Sequence, residues 1–505
     1  MKKFWIFALA GIASLNIIAN SASAQSILEA GLFSRQTNIG TARATAMAGA
    51  FTALGGEIST TTKNPAGVGV FRNSEVTISI APTFGKSFST SEDFSSKGKR
   101  NSFQLDNLGV VFAIPVDGPF VKYFNIGVNY GNLANYNNES RRIVATSPTS
   151  MTHVWAAQSA GIHTEDLNSL STGLAYNTFL INPDGNGGYY SILDYKMGGK
   201  DVTDPVSQDE RVREKGFQGD YSITLGANIL DKLYVGLGLT AVQTSYQHTS
   251  LYREAAEVDA LSGLDYYDYH TWEQSEAIGA KISLGFIYRP TNFIRLGAAI
   301  HTPTWQEVSY EGDANIEAFY NTKSDSSINR EDDWYADYSP VTSYNYNIRT
   351  AWRANFGAAL VLKQRLILSA DAEFVAYSKA KYIDIDDDFY NFETLYSELN
   401  QQIRSTYSSK WNFAVGAEYK ITDCFSLRYG YNLNRTPYRN ALETDLQQHN
   451  CGIGWAKGWA MVDLSYSHSM YENTTQFYNW GDIVASQVKN EYKRDIVKLT
   501  LGLRF

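Results

Sequence analysis

Residues 217–250 read FQGDYSITLGANILDKLYVGLGLTAVQTSYQHTS, and this stretch decides the fold. Leu233, Val235, Leu237 and Leu239 alternate with Tyr234, Gly236, Gly238 and Thr240, the period of a β-strand with one apolar face. Leu230-Asp231-Lys232 is a tight turn joining this strand to the one before it. The connections flanking the hairpin are long, 137–216 before it and 251–273 after it. The same arrangement repeats outward in both directions. Strands are expected at 74–88, 102–114, 122–136, 217–229, 233–250, 274–289, 293–310, 346–363, 365–382, 409–422, 424–436, 443–457, 459–472 and 491–505. Their short turns are Asp117-Gly118, 230–232, Pro290-Thr291-Asn292, Gln364, Asp423 and Lys457. Their long loops are 89–101, 137–216, 251–273, 311–345, 383–408 and 473–490, with 437–442 the one short connection on the long-loop side. A soluble sheet has no physical reason to alternate this way, whereas a transmembrane barrel has tight periplasmic turns and long outer loops. The expected fold is therefore all-β, a fourteen-stranded antiparallel transmembrane β-barrel over 74–505 with both ends at the periplasm.

The strands are long enough to cross a bilayer at a tilt. In the last one Val497, Leu499, Leu501, Leu503 and Phe505 share one face; Lys498, Thr500, Gly502 and Arg504 share the other. Trp411, Phe413, Val415, Ala417 and Tyr419 repeat the pattern. Ending on an apolar Phe505 resembles the signal read by the barrel-assembly machinery, a partner this ending implies.

The first residues address the chain to export. Lys2 and Lys3 precede an apolar run from Phe4 to Ile18, and Ala22-Ser23-Ala24 supplies a cleavage site, so 1–24 reads as a signal peptide. Its removal takes the formal charge from −9 to −11. No segment offers the roughly 18 apolar residues of a membrane helix. The mean hydropathy of −0.29 fits a barrel, in which only every second residue meets lipid. Aromatic content of 14% suits girdles at two interfaces, and the acidic balance argues against nucleic acid as a partner. Two cysteines, Cys424 and Cys451, are too few for a disulfide framework and read as free thiols, with a bridge as the alternative.

Residues 25–73 do not continue the barrel. They hold a small-residue run from Gly40 to Ala50, then Gly55-Gly56 and Asn64-Pro65-Ala66-Gly67. Short helices punctuated by Gly and Pro ahead of a barrel read as a compact hatch in the lumen. The spacing of Gly40, Arg43, Ala44, Ala46, Gly49, Ala50 and Ala53 ahead of Asn64-Pro65-Ala66, together with the strand count, resembles the FadL-type family of outer-membrane long-chain fatty-acid transporters, which includes aromatic-hydrocarbon channels. The hairpins at 223–239 and 411–431 are also similar to that family. Ala42 departs from it, standing where the family has Gly, and the 137–216 loop is unlike it. The resemblance implies passive, hatch-gated transport of a hydrophobic or amphipathic ligand, with lateral release into outer-membrane lipid at a kink in the third strand. Gly40, Arg43, Gly49, Asn64, Pro65 and Ala66 then form the hatch motif.

Other residues carry weaker signals. In the loop 137–216, helices are expected at 151–160 and 164–180. There Val154, Trp155, Leu167, Leu170, Leu174, Phe179 and Ile181 could line an entry groove or pack as a local core. Lumen parity carries Arg353, Asn355, Asp371, Glu373, Glu418, Arg428, Lys498 and Arg504. These could pair with one another or hold the hatch, and Arg353 or Arg428 could meet a ligand carboxylate. Gly131 and Asn132 interrupt the lipid-facing run of the third strand and are the candidate lateral opening. Asp384, Asp386 and Asp388 lack the Gly and Glu of a calcium loop. No histidine pair has metal spacing, and His468-Ser469 point to opposite faces of a strand, so no catalytic group, metal or cofactor is expected. The alternatives are a surface receptor for haem or a host macromolecule, and an open general-diffusion porin. The chain is expected to act as a monomer.

Overall fold

The computed structural model describes residues 27–505 except 93, 198, 258–260, 322–332, 364, 384–391 and 441–442. The signal-peptide reading, Gln364 and the aspartates of 384–388 lie outside the described residues. Fourteen antiparallel strands close on themselves as one barrel. They are β1 (Glu75–Thr90), β2 (Ser95–Pro115), β3 (Val121–Asn135, then Asn138–Ser147), β4 (Val206–Ile229), β5 (Leu233–Ala256), β6 (Leu264–Tyr288) and β7 (Ile294–His301, then Trp305–Tyr320). The second half is β8 (Thr342–Arg349, then Arg353–Leu362), β9 (Leu366–Val375, then Lys381–Ile383), β10 (Lys410–Lys420), β11 (Phe425–Asn434), β12 (Leu446–Lys457), β13 (Ala460–Thr475) and β14 (Val488–Arg504).

Closure removes the free edges that a bilayer would leave without hydrogen-bond partners. β1 pairs with β14 from Glu75↔Arg504 to Thr90↔Lys489, and reciprocal backbone bonds join Ser74 to Phe505 at 3.1 and 3.0 Å. An Arg504–Glu75 ion pair at 2.9 Å lies beside this seam. At the turn after β4, Leu230 and Asp231 both adopt positive φ (55° and 56°), matching the twist of the flanking strands. The Asn228 side chain accepts from the Asp231 amide at 2.9 Å, which holds that conformation. Leu237, Leu239, Ile282, Leu284 and Phe286 are exposed to the lipid side, with small and polar partners buried inward.

Several strands run further outward than the apolar alternation indicates. β4 starts at Val206 rather than 217, β6 at Leu264 rather than 274, and β5 continues to Ala256. The outward residues of β5 change from Leu to Gln243, Ser245, Gln247 and Thr249 while its pairing with β6 continues unbroken. Apolar alternation marks contact with lipid, and the hydrogen-bond ladder persists beyond the bilayer. The loop between β3 and β4 also corrects the expected helices. α1 (Ile27–Ser34) and α2 (Ala42–Ala46) are N-terminal; in the loop, α3 (Met151–Ser159) forms as expected, but 164–180 holds only a short turn at Thr164–Asp166 and α4 (Thr172–Asn177). Cys424 and Cys451 are free thiols.

Candidate functional site

The N-terminal segment lies inside the barrel, and the inward side chains of the wall hold it. Asn64 caps the 3-10 turn Pro65–Val70, its side-chain oxygen accepting from the Ala66 amide at 3.0 Å. Its amide nitrogen donates to the Thr52 carbonyl at 2.6 Å and the Phe286 carbonyl of β6 at 3.2 Å. Pro65 fits the first position of that turn because no N–H is needed there. Arg43 bonds Glu418 of β10 at 2.9 Å, and Glu418 also takes Arg428 of β11 at 2.6 Å, whose other end meets Asp463 of β13. Lys498 of β14 donates to the Gly40 carbonyl at 2.6 Å and the Thr45 hydroxyl at 2.8 Å, and pairs with Asp106 of β2. Asp371 of β9 accepts from the Thr52 amide at 2.9 Å, and Asn355 of β8 donates to the Lys63 carbonyl at 2.9 Å. Arg353 pairs with Glu373 at 3.0 Å and donates to the Ser34 carbonyl.

Small wall residues let the two backbones meet. A Cβ on Gly236 would overlap the Pro65–Ala66 peptide, one on Gly297 the Thr52 carbonyl, and one on Gly416 or Gly430 the backbone at Met47 and Ala48. Gly40 and Gly49 have φ of 36° and 72°, and at Gly40 a side chain would also strike Ser59. The seat of the N-terminal segment is therefore built from wall glycines as much as from charges.

Above this seat a cavity of about 410 Å³ separates α1 from the outer half of the wall. Leu28 and Leu32 of α1 face Tyr246, Tyr310, Tyr471 and Tyr492 across it. Some charged groups in its lining are paired, Arg35 with Glu443 at 2.6 Å and Arg142 with Glu210, while Lys86, Glu214 and Glu273 are in no ion pair among the described residues. Glu29 of α1 accepts from Ser275 at 2.6 Å and from Tyr346, and burial pushes its carboxyl up to about 7. Arg494 of β14 differs. Its guanidinium donates only to main-chain carbonyls, Asn135 at 3.0 Å and Asn137 at 3.3 Å, and has no carboxylate partner among the described residues. A hollow of about 500 Å³ on the opposite side of the wall, lined by Ile294, Leu360, Leu368 and Val415, belongs to the lipid face.

The wall is interrupted beside the cavity. The β2–β3 ladder ends at Asn107↔Gly131, although β2 continues to Ser95. Beyond that point no ladder joins the two strands among the described residues, and side chains bridge them: Asn132 to Gln104 at 3.0 Å, Asn135 to Ser102 at 3.1 Å, and Ser96 to the Arg141 carbonyl. β3 shifts register against β4 between Asn132 and Ala134, and residues from Gly131 to Asn135 are all buried. Its outer part then passes behind β1 and β2, where Ser87 donates to the Glu139 carbonyl at 2.7 Å.

The structure sorts the residues singled out from sequence. Gly131 and Asn132 stand at the break in the wall. Trp155 and Leu174 are buried in an outer loop core with Leu180, Tyr267 and Phe477, and Leu170 and Phe179 pack against it. None of these four lines the cavity, and neither do Arg353 and Arg428, which are held in ion pairs. Of the two readings of the loop residues, a local core is what the structure shows, with Glu254 collecting bonds from Met151, Gln208, Tyr252 and Tyr267 beneath α3. Sequence reading missed Arg494, although it shares the inward parity of Lys498. His468 bonds Asp495 at 2.8 Å while Ser469 is buried on the other face, so the two do not meet.

Residues 207–502 match the model of a family described as outer membrane protein transport protein (OMPP1/FadL/TodX). The chain belongs to this family. Its place is the bacterial outer membrane, as the family match and the barrel fold together show. Among solved structures, a FadL homologue from Pseudomonas aeruginosa is 12% identical, with 94% of this chain and 100% of that one covered and a TM-score of 0.57. The Pseudomonas putida toluene transporter TodX is 14% identical, with 92% and 99% covered and a TM-score of 0.51. At these identities the likeness shows the shared fold of the FadL/TodX barrels. No curated protein sequence matches the chain.

Proposed function

We propose that this FadL/TodX-type barrel is a passive channel for hydrophobic and amphipathic small molecules, with long-chain fatty acids as its ligands. The observation that carries this reading is Arg494: a half-buried guanidinium without a carboxylate partner among the described residues, lining an aromatic-walled cavity. At about 410 Å³ the cavity falls in the range of small-molecule sites. A fatty acid would place its carboxylate on Arg494 through charge-assisted bonds and its chain along Leu28, Leu32 and the tyrosines. Residues 25–73 then act as the hatch below it, and the break at Gly131 and Asn132 is the sideways exit into outer-membrane lipid. One chain closes the barrel alone, which suits a monomer. An open porin is disfavoured by the lumenal segment. An aromatic hydrocarbon, as the name of TodX suggests for that protein, would leave Arg494 and its charged surroundings without a role.

The test is uptake of labelled oleate and oleyl alcohol by cells lacking their own fatty-acid channel, with this protein or its Arg494→Gln variant. Oleate uptake should require the protein and fall roughly tenfold in the variant, the loss expected for one charged hydrogen bond, while the alcohol is little changed. No protein-dependent uptake of either, with the barrel shown to be in the outer membrane, overturns the reading.

A further inference from the structure

The outward face of β14, β1 and β2 carries a row of like charges in direct register. Lys86 of β1 lies opposite Lys99 of β2 on one side and Lys493 of β14 on the other. The next row outward places Phe88 opposite Lys97 and Glu491. The Phe88 ring has the ammonium of Lys97 at 5.7 Å and that of Lys493 at 5.4 Å from its centroid. Like charges directly opposite on neighbouring strands are destabilising, and nearby acids offset this in part, Asp495 feeling the charge of Lys86 without an ion pair to it. Glu491 is taken by Lys493 at 2.8 Å, Glu472 by Lys489 at 2.8 Å, and Asp495 by His468 and Tyr466. Lys86, Lys97 and Lys99 have no carboxylate partner among the described residues, and all three are exposed.

The height of the row identifies what faces it. On β1 the outward residues run Ile78, Ile80, Pro82, Phe84 and then Lys86; on β2 Leu105 and Phe103 precede Asn101 and Lys99; on β14 Leu499 and Val497 precede Asp495 and Lys493. The lysines therefore begin where the lipid-facing apolar band ends, at the end of the barrel opposite Ser74 and Phe505. That end is the cell surface, and the groups at that height are the headgroups of the outer leaflet.

We propose that Lys86, Lys97 and Lys99 form a docking site for the phosphate groups of an outer-leaflet phosphoglycolipid, whose acyl chains lie on Phe84 and Phe103. Clustered lysines at a membrane interface attract anionic headgroups in this way. The site borders the strand, β2, that loses its ladder to β3, so a bound lipid stands next to the interrupted wall. The inference rests on the outer-membrane orientation and not on the identity of the transported ligand.

The experiment titrates the purified full-length protein in detergent with bis-phosphorylated lipid A and with the same lipid after its phosphates are removed, reading bound lipid by native mass spectrometry. The phosphorylated lipid should bind at least about tenfold more tightly. A K86Q/K97Q/K99Q variant should lose that difference, and added salt should reduce it in the wild type. A K232Q/K420Q/K457Q variant, which removes the same charge at the periplasmic end, should retain it. Equal binding of the two lipids by the wild type overturns the proposal even if the triple variant does not fold, as does undiminished preference in a folded K86Q/K97Q/K99Q variant.

Discussion

Glu29 illustrates how a single side chain can set the behaviour of the lumenal segment. It sits on α1 with six per cent exposure, bonded to Ser275, Tyr346 and Tyr382. Desolvation raises its carboxyl to about 7, above the ordinary 4.5, so the docked helix prefers the neutral form. The docked state then binds more protons than the released one between these values. Its stability is complete below about 4.5 and declines as the pH rises through about 7. Hydrogen exchange of the α1 amides should accordingly quicken between about pH 5 and about pH 8, and Glu29→Gln should flatten that dependence. A wild-type profile no steeper than that of the variant would show that Glu29 stays charged when docked. The same scale separates Arg353 and Arg428 from Arg494: Glu373 and Glu418 pair with the first two guanidinium groups, whereas Arg494 spends its bonds on carbonyls.

At the scale of elements, the wall and the N-terminal segment are fitted through glycines that periodicity alone reads as ordinary inward positions. Gly416 and Gly430 lie opposite each other on β10 and β11, and both face the Met47–Ala48 backbone. Gly416→Val should leave the strands paired, because the residue is flanked by a full ladder, but should force the segment from its seat at a cost of about 1–3 kcal/mol. Proteolysis of the segment and single-channel conductance should both rise. An unchanged conductance would mean that the segment shifts without opening the lumen. The break in β3 is likewise a property of elements. A Gly followed by Asn was visible in sequence, but nothing local shows that the β2 ladder stops at Asn107 or that the outer part of β3 passes inside β1 and β2.

For the whole molecule, barrel and lumenal segment should be separable in stability though joined in function. Closure of the wall depends on β1 pairing with β14 and not on the segment, so deleting 25–45 or replacing Asn64-Pro65-Ala66 should leave a folded, heat-resistant barrel with higher small-solute conductance. A deletion that does not insert would show instead that the segment is needed to assemble the wall. The strand count and the inward and outward faces were legible in the sequence because lipid contact imposes a period of two over each crossing, and because short and long connections alternate between the two ends of the barrel. The segment at 25–73 was legible as something other than barrel because small residues, Gly and Pro break that period. Three matters were decided only by the tertiary structure. The outer strands extend past the bilayer, where no apolar face marks them. The apolar loop residues Trp155 and Leu174 form a core, since the buried Glu254 draws that loop onto β5 and β6. Arg494 lacks a carboxylate partner among the described residues, and this too was not legible, because which charges neutralise one another depends on side chains brought together in the lumen, some of them, such as Arg35 with Glu443, from segments hundreds of residues apart.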